Sequence, residues 1–211
     1  MEYCELGDLS QIIDSRKKSN KKFNEIQILD YFIPLLLALG YIHQRNVLHR
    51  DLKTSNIFIN SHNQIKLGDF GIAKMLSSSS SFTNTIIGTP YYLSPEICSG
   101  QLYNSKSDIW SLGCILYELT HLKRAFHAKT LPNLVAKILK GKIQYDDTNQ
   151  HTYNSLIIDL MKQMLSIDPQ KRPSIDKILQ LPMIKNHIKI MKLNHLLDKH
   201  VQLSKKEELK E

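Results

Sequence analysis

Apolar residues first fall into register over positions 25–42. There Ile26, Leu29, Phe32, Ile33, Leu36, Leu37 and Leu39 recur at close to helical spacing and predict a long helix. Its densest part, 31–42, is shorter than a bilayer span and carries Pro34, so it reads as a buried helix with no membrane role. Before it, Gly7-Asp8-Leu9 predicts a turn that opens a short helix. After it the period changes. Residues 46–48, 57–59 and 65–67 are short apolar pieces punctuated by Ser61-His62-Asn63, which predict small strands and a turn. Ser77 to Ser81 is a five-serine run in a stretch without periodicity and predicts a mobile loop. Residues 107–119 are apolar almost all round, the pattern of a central buried helix, and 156–165 and 175–179 predict further amphipathic helices. From Met183 the chain turns lysine-rich, with Ile190, Leu193, Leu197 and Val201 at helical spacing, which predicts a peripheral helix with a frayed end. The expected fold class is therefore mainly α with a few short β-strands.

Composition narrows the function classes. A chain of 211 residues, 42% of them hydrophobic, can bury the core of one ordinary domain. No secretory leader precedes the apolar run 31–42, and the three cysteines, Cys4, Cys98 and Cys114, are an odd number without metal-ligand spacing. The histidines include no HExxH, so neither a disulfide framework nor a zinc site is supported, and a cytoplasmic or nuclear setting is expected. The net charge of +8 collects in Arg16, Lys17, Lys18, Lys21 and Lys22 and in the stretch from Lys185 onward. The first cluster has no aromatic residues between its charges and reads as a solvated loop between helices, which leaves nucleic-acid binding with bulk charge as its only support.

The chemistry lies in the polar loops. His49-Arg50-Asp51-Leu52-Lys53-Thr54-Ser55-Asn56 is followed thirteen positions after Asn56 by Asp69-Phe70-Gly71, and later by Ser94-Pro95-Glu96. In these residues the chain resembles a protein kinase: HRDxxxxN, DFG and a variant of APE in that order match the catalytic loop, the metal-binding loop and the end of the activation segment. Phosphoryl transfer asks little covalent work of a protein, so such a site needs a positioned carboxylate and charge-neutralising groups. The resemblance implies that Asp51 accepts the substrate hydroxyl proton, that Lys53 neutralises the transferring phosphate, and that Asn56 and Asp69 hold Mg2+ beside ATP. Lys53 two positions after Asp51, and Thr89 in Gly88-Thr89-Pro90 as hydroxyl partner, resemble serine/threonine kinases. Protein substrates with Ser/Thr acceptors are the implied partners.

The same resemblance assigns supporting roles. His49 and Phe70, which precedes Gly71, join an internal apolar stack; Asp108, which alone would read as a helix N-cap, anchors the catalytic loop from below; Glu96 and Arg172 form a buried ion pair. Arg50 would pair with a phosphorylated activation loop, with Thr85, four residues before Thr89, as the phosphosite, filled by an activating kinase or by autophosphorylation. Met1-Glu2-Tyr3-Cys4, Gly7-Asp8-Leu9, Gly88-Thr89-Pro90-Tyr91-Tyr92 and the run from Lys106 to Cys114 are similar to the NIMA-related group. On that likeness Glu2 and Cys4 belong to the hinge that hydrogen-bonds adenine, Asp8 sits near the ribose, and Phe58 floors the adenine pocket. Family analogy adds the cytoskeleton, centrosome or nucleus as places of action.

One part of the pattern is missing. The glycines are Gly7, Gly40, Gly68, Gly71, Gly88, Gly100, Gly113 and Gly141, and no GxGxxG can be built from them. With the hinge at position 1, the expectation is a kinase catalytic domain over 1–182 represented by hinge and C-terminal lobe only, its N-terminal lobe missing, followed by a basic helical tail over 183–211. Such a chain would show little activity alone. The alternative expectation is a catalytically inactive lobe acting as a binding or decoy module.

Overall fold

A computed structural model of the chain describes residues 3–69, 90–145 and 153–208, with side chains described as far as 202. Glu2, the serine run, Phe70, Gly71, Thr85 and Thr89 lie outside the described residues. Helix α1 (Leu9–Lys18) starts where Asp8 and Gln11 form a reciprocal capping box, the Asp8 carboxylate accepting the Gln11 N–H at 3.1 Å. Helix α2 (Glu25–His43) is capped the same way by Asn24 and Gln27. At 19 residues it is long and apolar enough to cross a membrane, but Ile28, Phe32, Ile33, Leu36 and Leu39 are spent in the core of this domain.

Strands β1 (Ile57–Ile59) and β2 (Ile65–Leu67) form a two-stranded antiparallel hairpin with Ile57 opposite Leu67 and Ile59 opposite Ile65. Leu6 and Gly7 lie alongside β1: the Leu6 N–H donates to the Ile59 carbonyl at 3.1 Å, and the Ile59 N–H donates to the Gly7 carbonyl at 2.9 Å. Then follow α3 (Pro95–Cys98), α4 (Ser105–His121), α5 (Leu131–Lys140), α6 (Ser155–Met164), α7 (Ile175–Leu179), α8 (Pro182–Ile190) and α9 (Asn194–Glu208). Helix α4 is the centre of the molecule, and every residue from Ser107 to His121 is buried. Its apolar circumference is satisfied on several sides. Helices α2 and α6 pack against it, Trp110 stacks on Phe126 with ring centres 5.4 Å apart, and Arg172 lies over the indole at 5.0 Å. Gly113 lets α6 come close, since a β-carbon there would stand 2.9 Å from that of Met164.

The architecture is mainly helical with two short strands, as the periodicity indicates. Three local readings change. Residues 46–48 form no strand, because the Val47 N–H turns back to the Ile42 carbonyl at 3.0 Å and Asn46 takes φ 56°, so the piece closes the end of α2. Arg16, Lys17 and Lys18 are the last turn of α1, where cations suit the helix dipole, and only Lys21 and Lys22 lie in the loop beyond. The C-terminal stretch is two helices broken at Lys192, which has φ 55°. Nor is it merely peripheral: Ile184 and Ile188 are in the core, and His200 is buried against Asp176, its Nε2 2.7 Å from the carboxylate.

Candidate active site

The loop from His49 to Asn56 lies between the end of α2 and β1, above the first turns of α4. Asp108 fixes it. This fully buried carboxylate accepts the backbone N–H of His49 at 3.0 Å and of Arg50 at 3.2 Å, while the Tyr103 hydroxyl donates to it at 2.5 Å and His43 Nε2 lies at 2.7 Å. Burial by itself would raise its pKa; donors from His43 and Tyr103 outweigh that and hold it below the ordinary aspartate value. The two backbone bonds keep Arg50 in the left-handed region at φ 67°, a conformation uncommon for a non-glycine residue.

His49 is also fully buried. Its Nε2 lies 3.1 Å from the Gly68 carbonyl, which can only accept, and its Nδ1 receives the Asp51 N–H at 3.4 Å. The ring is therefore the neutral Nε2–H tautomer. Burial lowers its pKa against the nearby Asp108, so it spans the catalytic loop and the residue before Asp69 as a structural bridge. Gly68 is required at that point. A β-carbon on it would meet the Phe58 ring at 2.8 Å, and Asp8 bridges to Phe58 from the other side.

Three of the residues singled out from sequence converge at one carboxylate. Lys53 Nζ donates to Asp51 Oδ2 at 2.8 Å, and Asn56 Nδ2 donates to the same oxygen at 3.2 Å and to the Asp51 carbonyl at 2.9 Å. Asn56 is buried, whereas Asp51 and Lys53 are partly open to solvent. With its amide nitrogen committed to Asp51, Asn56 turns its carbonyl oxygen away as a hard acceptor. Asp69, exposed and held at φ 52°, supplies a carboxylate thirteen positions further on. Oxygen donors of this kind, few and without sulfur or imidazole, fit Mg2+ that keeps water and phosphate ligands. No group of three His, Cys, Asp or Glu side chains suited to a metal occurs among the described residues.

The remaining candidates take clear places. Glu96 and Arg172 form a bidentate pair with N–O distances of 2.7 and 2.8 Å, and Ser107 donates to the same carboxylate at 2.7 Å. The Cys4 carbonyl accepts the Gly7 N–H at 3.1 Å, closing the turn into α1, and the Asp8 carboxylate serves as cap, with Ser10 Oγ as a second donor. Sequence reasoning missed a further set. Thr54 Oγ1 and the Tyr92 hydroxyl are 2.9 Å apart, Ser111 Oγ donates to the Tyr92 carbonyl at 2.9 Å, and Glu118 is a buried carboxyl on α4 close to Tyr92. Burial pushes the Glu118 carboxyl up to about 7 despite Tyr92 and Arg124 nearby. Thr54, Tyr92 and α4 come from three separate stretches of sequence, so no local spacing signals their meeting.

A bilobal phosphotransferase needs a loop of this kind, with base, lysine and metal ligands on a helical platform. The chain matches the protein kinase domain over residues 1–184 and belongs to the protein kinase family. Within it the likeness is to NIMA-related serine/threonine kinases. The chain is 52% identical over 194 residues to the probable serine/threonine-protein kinase nek3 of Dictyostelium discoideum, an overlap of 90% of this chain and 17% of that protein. It is 47% identical over 188 residues to the serine/threonine-protein kinase Nek1 of Mus musculus, covering 89% and 15% respectively. With Nek3 of Mus musculus the identity is 48% over 179 residues, covering 85% and 34%. The chain thus spans between 15% and 34% of the length of these relatives. The family as a whole uses ATP and Mg2+.

Proposed function

We propose that this chain forms the catalytic-loop lobe of a serine/threonine protein kinase that transfers the γ-phosphate of ATP to protein Ser or Thr hydroxyls. The observation that carries the reading is the convergence of Lys53 and Asn56 on Asp51 Oδ2. Held on one oxygen by a cation and an amide, the Asp51 carboxylate is oriented to accept a proton from an incoming hydroxyl. Lys53 reaches the same place with its charge and offsets the negative charge that accumulates on a transferring phosphate. Asn56 and Asp69 would hold Mg2+, which when bound with ATP neutralises the phosphate oxygens. Glu2, Cys4, Asp8 and Phe58 are assigned to the nucleotide side, and Thr89 to the substrate side. Thr85 is assigned as the phosphosite that Arg50 would engage.

The reading needs a glycine-rich loop and a strand lysine from polypeptide outside residues 1–211, and expects little phosphotransfer from these residues alone. The test uses the longest in-frame gene product containing this chain, with radiolabelled ATP and casein. Asp51→Asn is expected to reduce labelling by at least about 100-fold while nucleotide affinity is kept. Undiminished labelling by Asp51→Asn, or by Lys53→Ala, would overturn the assignment.

A further inference from the structure

The end of α1 surrounds one hydroxyl with cations. Between Asp14 and Glu25 the chain holds five lysines and arginines and no aspartate or glutamate. Ser19 stands in the middle, with Arg16, Lys17 and Lys18 immediately before it and Lys21 and Lys22 after it. Lys17, Lys18, Ser19, Lys21 and Lys22 are exposed, and the side chains of Lys17, Lys18 and Lys21 enter no ion pair among the described residues.

The fold leaves this hydroxyl within reach. Ser19 is the C-cap of α1, and its Oγ donates to the carbonyls of Ser15 at 3.0 Å and Arg16 at 3.1 Å, both within the last turn of the same helix. Asn20 follows with φ 51°, and the chain then runs as a loop to Phe23, which is buried and whose carbonyl accepts the Tyr153 hydroxyl at 2.9 Å. Residues 19–22 therefore project between the helix end and a fixed anchor. Helix ends open at little cost in free energy, so 16–22 can be drawn out as an extended peptide while Leu9 and Ile13 keep the rest of α1 seated in the core. The opening releases the Arg16 guanidinium from the Phe23 ring, 4.8 Å away, and frees it for a carboxylate.

We infer that Ser19 is a phosphorylation site for a basophilic serine/threonine kinase, one whose substrate groove carries carboxylates that select cations before the acceptor. Those carboxylates would meet Arg16, Lys17 and Lys18, and the arginine can pair bidentately. In the transfer Ser19 Oγ attacks the γ-phosphorus of ATP bound to that kinase. The Oγ–P bond forms, the bond from the same phosphorus to the ADP oxygen breaks, and the hydroxyl proton passes to the modifying kinase's base. Charge singles out Ser19 over Ser15, which is also exposed but has Asp14 directly before it and no cation in residues 10–14. The ester oxygen has no proton left for the Ser15 and Arg16 carbonyls, and the phosphate brings about −1.5 to −2 charge in among the lysines. The site lies outside the Asp51 loop and stands whether or not the phosphotransfer reading holds.

The test incubates the 211-residue chain with radiolabelled ATP, Mg2+ and the catalytic subunit of the cyclic-AMP-dependent kinase as basophilic probe, with a blank lacking added kinase. Mass spectrometry maps the label, which is expected on Ser19 at about one phosphate per chain. Ser19→Thr should keep it and Ser19→Ala should lose it. Arg16→Ala and Lys17→Ala/Lys18→Ala should each lower kcat/KM for Ser19 by at least about tenfold, the loss expected for a charge-assisted hydrogen bond. An acidophilic casein kinase should label Ser19 slower by a similar factor. An unchanged circular dichroism spectrum in each variant separates lost recognition from lost fold. Label confined to residues other than Ser19, Ser15 included, would overturn the inference. So would rates within about twofold for all forms, or Ser19 labelling equally fast in the blank.

Discussion

Replacing Arg172 with alanine tests the architecture beneath the active site most directly. The guanidinium is 1% exposed, bonds Glu96 through both terminal nitrogens, and also donates to the carbonyls of Ser166, Lys106 and Ile167. Its removal leaves the Glu96 carboxylate buried with Ser107 as its one remaining side-chain donor among those described. Breaking a buried pair from one side costs about 3–5 kcal/mol, a large share of the stability of an ordinary domain. For a chain of this size that lowers Tm by roughly 6–20 °C. Urea unfolding followed by circular dichroism is the assay, and Glu96→Ala/Arg172→Ala should be less unstable than the sum of the single variants by about 1–3 kcal/mol. The pH dependence has a fixed sign. In the native protein burial pushes the Glu96 pKa up, but hydrogen bonds from Arg172 and Ser107 outweigh it and hold the group below its ordinary 4.5. Its stabilisation is therefore complete above that value and lost as pH falls through the lower folded value. Without Arg172 the burial effect dominates, so the deficit of Arg172→Ala should be greatest near neutrality and shrink as pH falls toward 4.5. A cost under about 1 kcal/mol, or a deficit equal at neutral and mildly acid pH, would refute the argument.

Gly68→Ala should cost about 1–3 kcal/mol through the clash with Phe58, seen as a lower urea midpoint, and Phe58→Leu in the same chain should restore most of it. Glu118 acts with the opposite sign to Glu96. Its pKa of about 7 against an ordinary 4.5 means that stability is highest below 4.5 and declines as pH rises to 7, and Glu118→Gln should remove that part of the slope in urea titrations across this range.

What was legible in the sequence divides along physical lines. Helices with an apolar face of fixed period were visible: α2 ends one residue beyond the predicted segment, and α7 matches it. The hairpin was visible because two β-branched pieces flank a polar turn. Helix α5 was not among the predicted segments although Leu134 and Ile138 stand at helical spacing, and residues 46–48 misled because a helix-closing turn can be as apolar as a strand. At the site, Asp51, Lys53 and Asn56 were singled out by the resemblance of one loop to a kinase motif, and the fold places all three within hydrogen-bond reach of one another. The His43–Asp108 contact and the Thr54–Tyr92 contact were not legible, because His43 on α2 meets Asp108 on α4, and Thr54 meets Tyr92, only through the tertiary fold.

The Asp108 contacts imply a particular freedom. The loop that bears Asp51 takes its position from a carboxylate 58 and 59 residues further along the chain, on the most buried helix. Coordinates set from the floor do not depend on the route of the chain between the two points. Within the intervening segment, residues that bond neither to this loop nor to α4 can therefore change without displacing Asp51, provided that α4 keeps its rotation, whereas Asn56, Gly68 and Tyr103 cannot. A register shift of one residue in α4 would turn Asp108 by about 100° and release both backbone bonds at once. The part of the protein open to variation and the part that cannot move by one residue are joined end to end in the same stretch of sequence.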